Sequence, residues 1–155
     1  MQFSGITIGI PREIMPGERR VAAIPDTVGK MINAGAKVIV ENGAGEGAYI
    51  DDAQYKEAGA EIIEDTKRLY DEADLIVKVK EPRIHEEFGC HEAELMKPGS
   101  ALIAFLHPAH DVNHDGLRIL ADRNVTSYTL DGIPRISKAQ QMDALTSMST
   151  VAGYK

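Results

Sequence analysis

Ala101-Leu102-Ile103-Ala104-Phe105-Leu106 is the most apolar run of the chain. It reads as a central strand covered on both faces, because strands inside parallel sheets lose the polar alternation of half-exposed ones. Outward from it, short β-branched runs alternate with amphipathic stretches that end in glycine. On the amino-terminal side lie a short helix over 91–96, closed by Pro98-Gly99, and the strand Leu75-Ile76-Val77-Lys78-Val79, which gives way to Lys80-Glu81-Pro82. Further back come a helix over 65–73, a weaker strand Glu61-Ile62-Ile63, and a helix capped by Asp51 or Asp52 that runs to Gly59. A strand over 37–41, a helix opened by Pro25-Asp26, and a first strand Ile6-Thr7-Ile8-Gly9-Ile10 stopped by Pro11 complete this half. A brief extended stretch is expected at 21–24. On the carboxyl-terminal side follow a helix over 113–123, a last strand over 125–130, and a helix that starts at Ser137 and still runs at Tyr154-Lys155.

Strands joined through helices by short loops imply right-handed crossovers, which place helices on both faces of the sheet. The predicted fold is α/β, a flavodoxin-like doubly wound parallel sheet in a single domain.

The 155 residues suit one domain with a real core. With 17 basic and 24 acidic side chains the net charge is -7, so the basic footprint of a nucleic-acid binder is missing. Cys90 is the only cysteine, which excludes an internal disulfide and a multi-cysteine zinc site. No run approaches the length of a membrane span, and the start lacks a basic segment followed by an apolar one. A cytoplasmic location is expected.

In open parallel sheets, ligands bind beyond the carboxyl ends of the strands. Arg12, Glu13, Glu18, Arg19 and Arg20 follow the first strand, Lys80 follows the fourth, and His107 follows the Ala101–Leu106 run. Guanidinium, ammonium and imidazole at one edge suit a small carboxylate: arginine clamps it with two hydrogen bonds, and histidine supplies a proton near neutral pH. Solvated loop charges are the alternative reading. Gly43-Ala44-Gly45-Glu46-Gly47 lacks the G-x-G-x-x-G spacing and follows the second strand, so a tight structural turn is expected there. His85, Cys90 and His91, and the pair His110 and His114, show no standard ligand frame and read as surface residues; no metal is expected. The largely polar segment from Arg135 to Thr146 reads as a loop with Ser137 as a helix cap.

Gly9-Ile10-Pro11-Arg12-Glu13, Glu18-Arg19-Arg20-Val21-Ala22, Gly43 to Gly47, Lys78-Val79-Lys80-Glu81-Pro82 and Pro134-Arg135-Ile136-Ser137 together resemble the amino-terminal domain shared by alanine dehydrogenase and the alpha subunit of proton-translocating nicotinamide nucleotide transhydrogenase. The resemblance covers nearly the whole chain. Pro134 to Gln140, Asp143-Ala144-Leu145 and Ala152-Gly153-Tyr154 look like the transhydrogenase branch, in which this loop reaches the nicotinamide of NAD(H). The resemblance therefore implies Arg135, Gln140, Asp143 and Thr146 as cofactor-binding residues, with Thr146 standing where the family usually has serine. In the alanine dehydrogenase branch an arginine, a lysine and a histidine hold pyruvate, which match Arg20, Lys80 and His107 and make His107 the catalytic candidate.

The resemblance also implies boundaries: the amino-terminal domain over 1–136 and the start of a connecting helix over 137–155. In both branches a Rossmann NAD-binding domain follows. None is present in these 155 residues, so this chain alone is not expected to carry out the whole reaction. For the complete enzyme the implied function is hydride transfer between NAD(H) and NADP(H) coupled to proton translocation. NADP(H) would sit on a partner subunit, with membrane subunits as further partners, self-association into a homo-oligomer, and a peripheral position at the inner face of the membrane. The alternative functions are NAD-dependent oxidative deamination of L-alanine to pyruvate, and a non-catalytic stand-alone partner domain.

Overall fold

The computed structural model describes residues 2–154. Its strands are β1 (Thr7–Ile10), β2 (Lys37–Glu41), β3 (Glu61–Ile63), β4 (Leu75–Val77), β5 (Ile84–His85), β6 (Cys90–His91), β7 (Ala101–Ala104) and β8 (Thr126–Thr129). Its α-helices are α1 (Pro25–Asn33), α2 (Asp52–Glu57), α3 (Thr66–Glu72), α4 (Glu92–Leu95), α5 (His114–Asp122) and α6 (Ala144–Gly153). Six strands form one sheet in the order β3-β2-β1-β4-β7-β8, and every pairing in it is parallel. Strands β5 and β6 make a separate antiparallel hairpin.

The expected α/β doubly wound parallel sheet is therefore present. Numbered by themselves, the six strands run 3-2-1-4-5-6, an order known from dinucleotide-binding folds. A flavodoxin-like order, 2-1-3-4-5, lacks the strand that β3 adds outside β2.

Alternation along the strands sends side chains to two cores. Ile8, Ile10, Val38 and Val40 pack with Val28 of α1 and Tyr55 of α2 on one face. Ile39, Ile76 and Leu102 pack with Leu69 and Tyr70 of α3, Ala93 of α4 and Leu120 of α5 on the other. Between Ile8 and Ile10, Gly9 turns toward α3. A Cβ there would lie 2.8 Å from Cβ of Ala73, so only hydrogen lets α3 sit this close to β1.

Two local expectations are corrected. Residues 21–24 form no strand; the carbonyl of Ala23 accepts the Tyr55 hydroxyl at 2.8 Å and is spent on a side chain. Ser137 does not cap a helix. It opens a single 3-10 turn over Ser137–Ala139, and α6 starts only at Ala144, because the Met142 and Asp143 N–H groups both turn back to the carbonyl of Ala139.

Candidate functional site

Neighbouring strands β1 and β4 send their chains in opposite directions, toward β2 and β7, so a crevice opens beyond their carboxyl ends. Arg12 and Glu13 follow β1 there. The Glu13 carboxylate accepts the Val79 N–H at 2.6 Å and the Lys80 N–H at 3.2 Å, which fixes the backbone that carries Lys80. Burial pushes the Glu13 carboxyl above its ordinary range despite the Lys78 ammonium at 3.7 Å. The Lys80 side chain is half-buried and makes no hydrogen bond or ion pair among the described residues.

Lys78 has no exposed side-chain surface. Its ammonium donates to Glu92 Oε1 at 2.7 Å, the Tyr70 hydroxyl donates to the same oxygen at 2.7 Å, and the Arg83 N–H donates to Oε2 at 2.9 Å. A buried charge pair persists only with such added hydrogen bonds.

His107 follows β7 with φ at 45°, a conformation that L residues rarely adopt. Its backbone is clamped: the N–H donates to Asp131 Oδ2 at 2.9 Å, and the Asn113 amide donates to its carbonyl at 3.2 Å. Its ring lies between two carboxylates, with Nδ1 3.1 Å from Glu81 Oε2 and Nε2 3.7 Å from Asp131 Oδ1. Glu81 is buried and is held in turn by Arg83 Nε at 3.3 Å. Partial burial by itself would raise the Asp131 carboxyl, but the Thr129 hydroxyl, the His107 and Leu106 N–H groups and the His107 ring together keep it below the ordinary aspartate value.

Arg20 lies against Glu18, whose carboxyl is lowered to about 2 chiefly by the Arg20 guanidinium, and its Nη1 reaches Met148 Sδ of α6 at 3.2 Å. No bond joins Arg20 to Lys80 or His107 among the described residues. Nearer the carboxyl end, Arg135, Asp143 and Thr146 line one cleft of about 400 Å³ together with Ser149 and Thr150. The Thr146 hydroxyl donates to Asp143 Oδ2 at 2.7 Å. Gln140 is exposed and outside that lining.

Residues 9–152 match the family described as "Alanine dehydrogenase/PNT, N-terminal domain". The chain belongs to that family. It is 40% identical over 148 residues to "NAD(P) transhydrogenase subunit alpha" of Cereibacter sphaeroides, a match covering 96% of this chain and 27% of that protein. It is 38% identical over 146 residues to "Alanine dehydrogenase" of Methanococcus maripaludis, covering 94% of this chain and 36% of the relative. The crystal structure of transhydrogenase from Sinorhizobium meliloti is similar with a TM-score of 0.84 at 34% identity, over 96% of this chain and 42% of that one. The chain thus spans 27% and 36% of the lengths of these two curated relatives.

In this alanine dehydrogenase/PNT amino-terminal domain, the glycine turn is explained by packing. A Cβ at Gly45 would lie 2.6 Å from the Ile50 carbonyl oxygen, and one at Gly47 would lie 2.7 Å from that of Arg19. His85 is buried and stacks on Phe88 at 4.2 Å, which corrects its reading as a surface residue. Among the described residues no helix is long and apolar enough to cross a membrane. Glu13, Glu81, Asp131, Lys78 and Glu92 carry this geometry, and of them sequence reasoning placed only Glu13 at the strand-end edge. Of the others, Lys78 alone left a signal, an ammonium inside an otherwise apolar strand.

Proposed function

We propose that this domain serves an NAD(P) transhydrogenase alpha subunit, in which hydride passes between NAD(H) and NADP(H). The observation that carries the reading is the gathering of Arg135, Asp143 and Thr146 around one cleft. The donor set fits a nicotinamide carboxamide: the guanidinium donates to its oxygen, the carboxylate accepts from its NH2 group, and the threonine hydroxyl does either. The nicotinamide cofactor, when bound, supplies the hydride chemistry; Arg135, Asp143 and Thr146 orient its ring, and Gln140, outside the cleft lining, is assigned to it by the family resemblance. The finer assignment places most of NAD(H) on a downstream Rossmann domain and NADP(H) on a partner subunit. Membrane subunits hold the assembly at the inner face of the membrane, and the alpha subunit self-associates.

A second reading, alanine dehydrogenase, is favoured by one observation, the His107–Glu81 contact. With Nδ1–H donating to Glu81, Nε2 is left as the proton acceptor, while Arg20 and Lys80 orient a 2-oxo acid.

The two readings separate in a protein that contains the downstream domain. Gln140→Ala and Asp143→Ala are expected to cut hydride exchange between NADH and an NADP analogue on the order of 10²-fold, because a misplacement of about 1 Å costs that much. His107→Ala leaves exchange nearly unchanged. Alanine oxidation that falls about 10²- to 10⁴-fold in His107→Ala, with exchange indifferent to both loop substitutions, overturns the transhydrogenase reading in favour of the second.

A further inference from the structure

A cleft of about 800 Å³ lies apart from the one lined by Arg135 and Asp143, and neither Lys80 nor His107 lines it. Its walls are the loop after β1, the β5–β6 hairpin and the first turn of α5. Besides the carboxylates of Glu13, Glu86, Glu87 and Asp115, its lining has three kinds of group. Arg12 and Arg83 enter from different elements, and each is anchored through Nε alone, to Glu41 at 3.0 Å and to Glu81 at 3.3 Å. Both residues line the cleft, and their terminal Nη groups make no bond among the described residues. Ile84 and Val112 sit on its rim as large apolar side chains, 68% and 84% exposed.

The third kind is imidazole. His85 is only 6% exposed, lines the cleft, and its buried Nδ1 has no partner among the described residues. His91 Nδ1 accepts the Ala93 N–H at 3.2 Å, so Nε2 carries the proton, and burial keeps this ring neutral by lowering its basicity. The ring lies against Gly116, where a Cβ would sit 2.7 Å from Cε1.

We infer that this cleft is a second ligand site, for a small monocarboxylate with an apolar body. The guanidiniums of Arg12 and Arg83 take the carboxylate, and Ile84 and Val112 cover the apolar part. The cleft's carboxylates set the limit on charge. Glu13 is committed to the Val79 and Lys80 N–H groups and Asp115 is paired with Arg118 at 2.8 Å, but Glu86 and Glu87 remain on the exposed rim. A second negative charge on the ligand is repelled there. The site also touches the back of the candidate centre, because Glu13 holds the Lys80 backbone and Asn113 holds the Leu106 and His107 carbonyls at 3.1 and 3.2 Å. Binding in the cleft does not depend on which reaction the complete enzyme performs.

The test is a titration of the 155-residue chain with 3-methylbutanoate, followed by amide and histidine-ring NMR. Saturable shifts are expected at His85, His91 and Gly116, with none from the neutral 3-methylbutanamide and weaker binding of succinate. Arg83→Gln loosens binding about 10- to 100-fold, as loss of a charged hydrogen bond does. Gly116→Ala, whose Cβ displaces the His91 ring of the cleft lining while favouring the helix, reduces binding with the fold intact by circular dichroism. Shifts that do not saturate, that the amide reproduces, or that persist unchanged in both variants overturn the inference.

Discussion

Glu18 shows how much one side chain can arrange. Its Oε1 accepts the N–H groups of Arg19 and Arg20 at 3.0 and 2.9 Å and Arg20 Nε at 2.8 Å, while Oε2 takes Arg20 Nη2. Its folded pKa of about 2 lies below the ordinary 4.5, so this contribution to stability is complete above pH 4.5 and is lost as pH falls toward 2. Carboxyl-detected NMR is expected to find Glu18 ionised to about pH 2, and Glu18→Gln to lower stability at neutral pH while narrowing the gap to wild type as acid is added. A Glu18 that titrates near 4.5 contradicts the arrangement. That Arg20, Lys80 and His107 come after strands was legible in the sequence, because β-branched runs mark the strand ends. Glu13 and Glu81 were not legible as a clamp and a ring partner. Glu13 meets Lys80 and Glu81 meets His107 only after the sheet has brought distant stretches together, 67 and 26 residues apart.

Elements were legible where a local signal both opened and closed them. The bounds of β2 and β3 are those that the sequence predicts, and the Asp51–Gln54 capping box starts α2. Strands β4 and β7 end two residues early: the Lys78 and Phe105 N–H groups still reach across to Ile103 and Val79, but out of regular register, and Leu106 gives its N–H to the Thr129 and Asp131 side chains. The two-residue strands β5 and β6 carry no periodicity at all, so the wall they build for the large cleft was invisible. Strand β1 packs closely against α3 at Gly9. Gly9→Ala places a Cβ 2.8 Å from Cβ of Ala73 and 2.9 Å from Cδ1 of Ile76, both in the core, and overpacking of this kind costs about 1–3 kcal/mol. Urea denaturation is expected to show a lower midpoint with an unchanged slope. A midpoint equal to wild type means that α3 is not seated as described.

Across the whole molecule, the buried network does what no single element can. The Lys78 ammonium after β4 joins Glu13 after β1 to Glu92 of α4, and Glu92 in turn accepts the Tyr70 hydroxyl of α3, which ties the strand ends beside the crevice to the core beneath it. Lys78→Met leaves two buried carboxylates without their cation and is expected to cost about 3–5 kcal/mol, read from chemical denaturation at neutral pH. A loss below about 1 kcal/mol, the size expected of an exposed pair, excludes that role. The sheet order has a consequence during synthesis. Strand β1 leaves the ribosome first, yet it lies between β2 and β4, and β4 follows roughly 65 residues later, about 3–13 s at ordinary rates of translation. Throughout that interval the growing chain carries an unmatched row of amide and carbonyl groups along Thr7–Ile10. Ribosomes that stall before Leu75 therefore present neighbouring nascent chains with an adhesive edge.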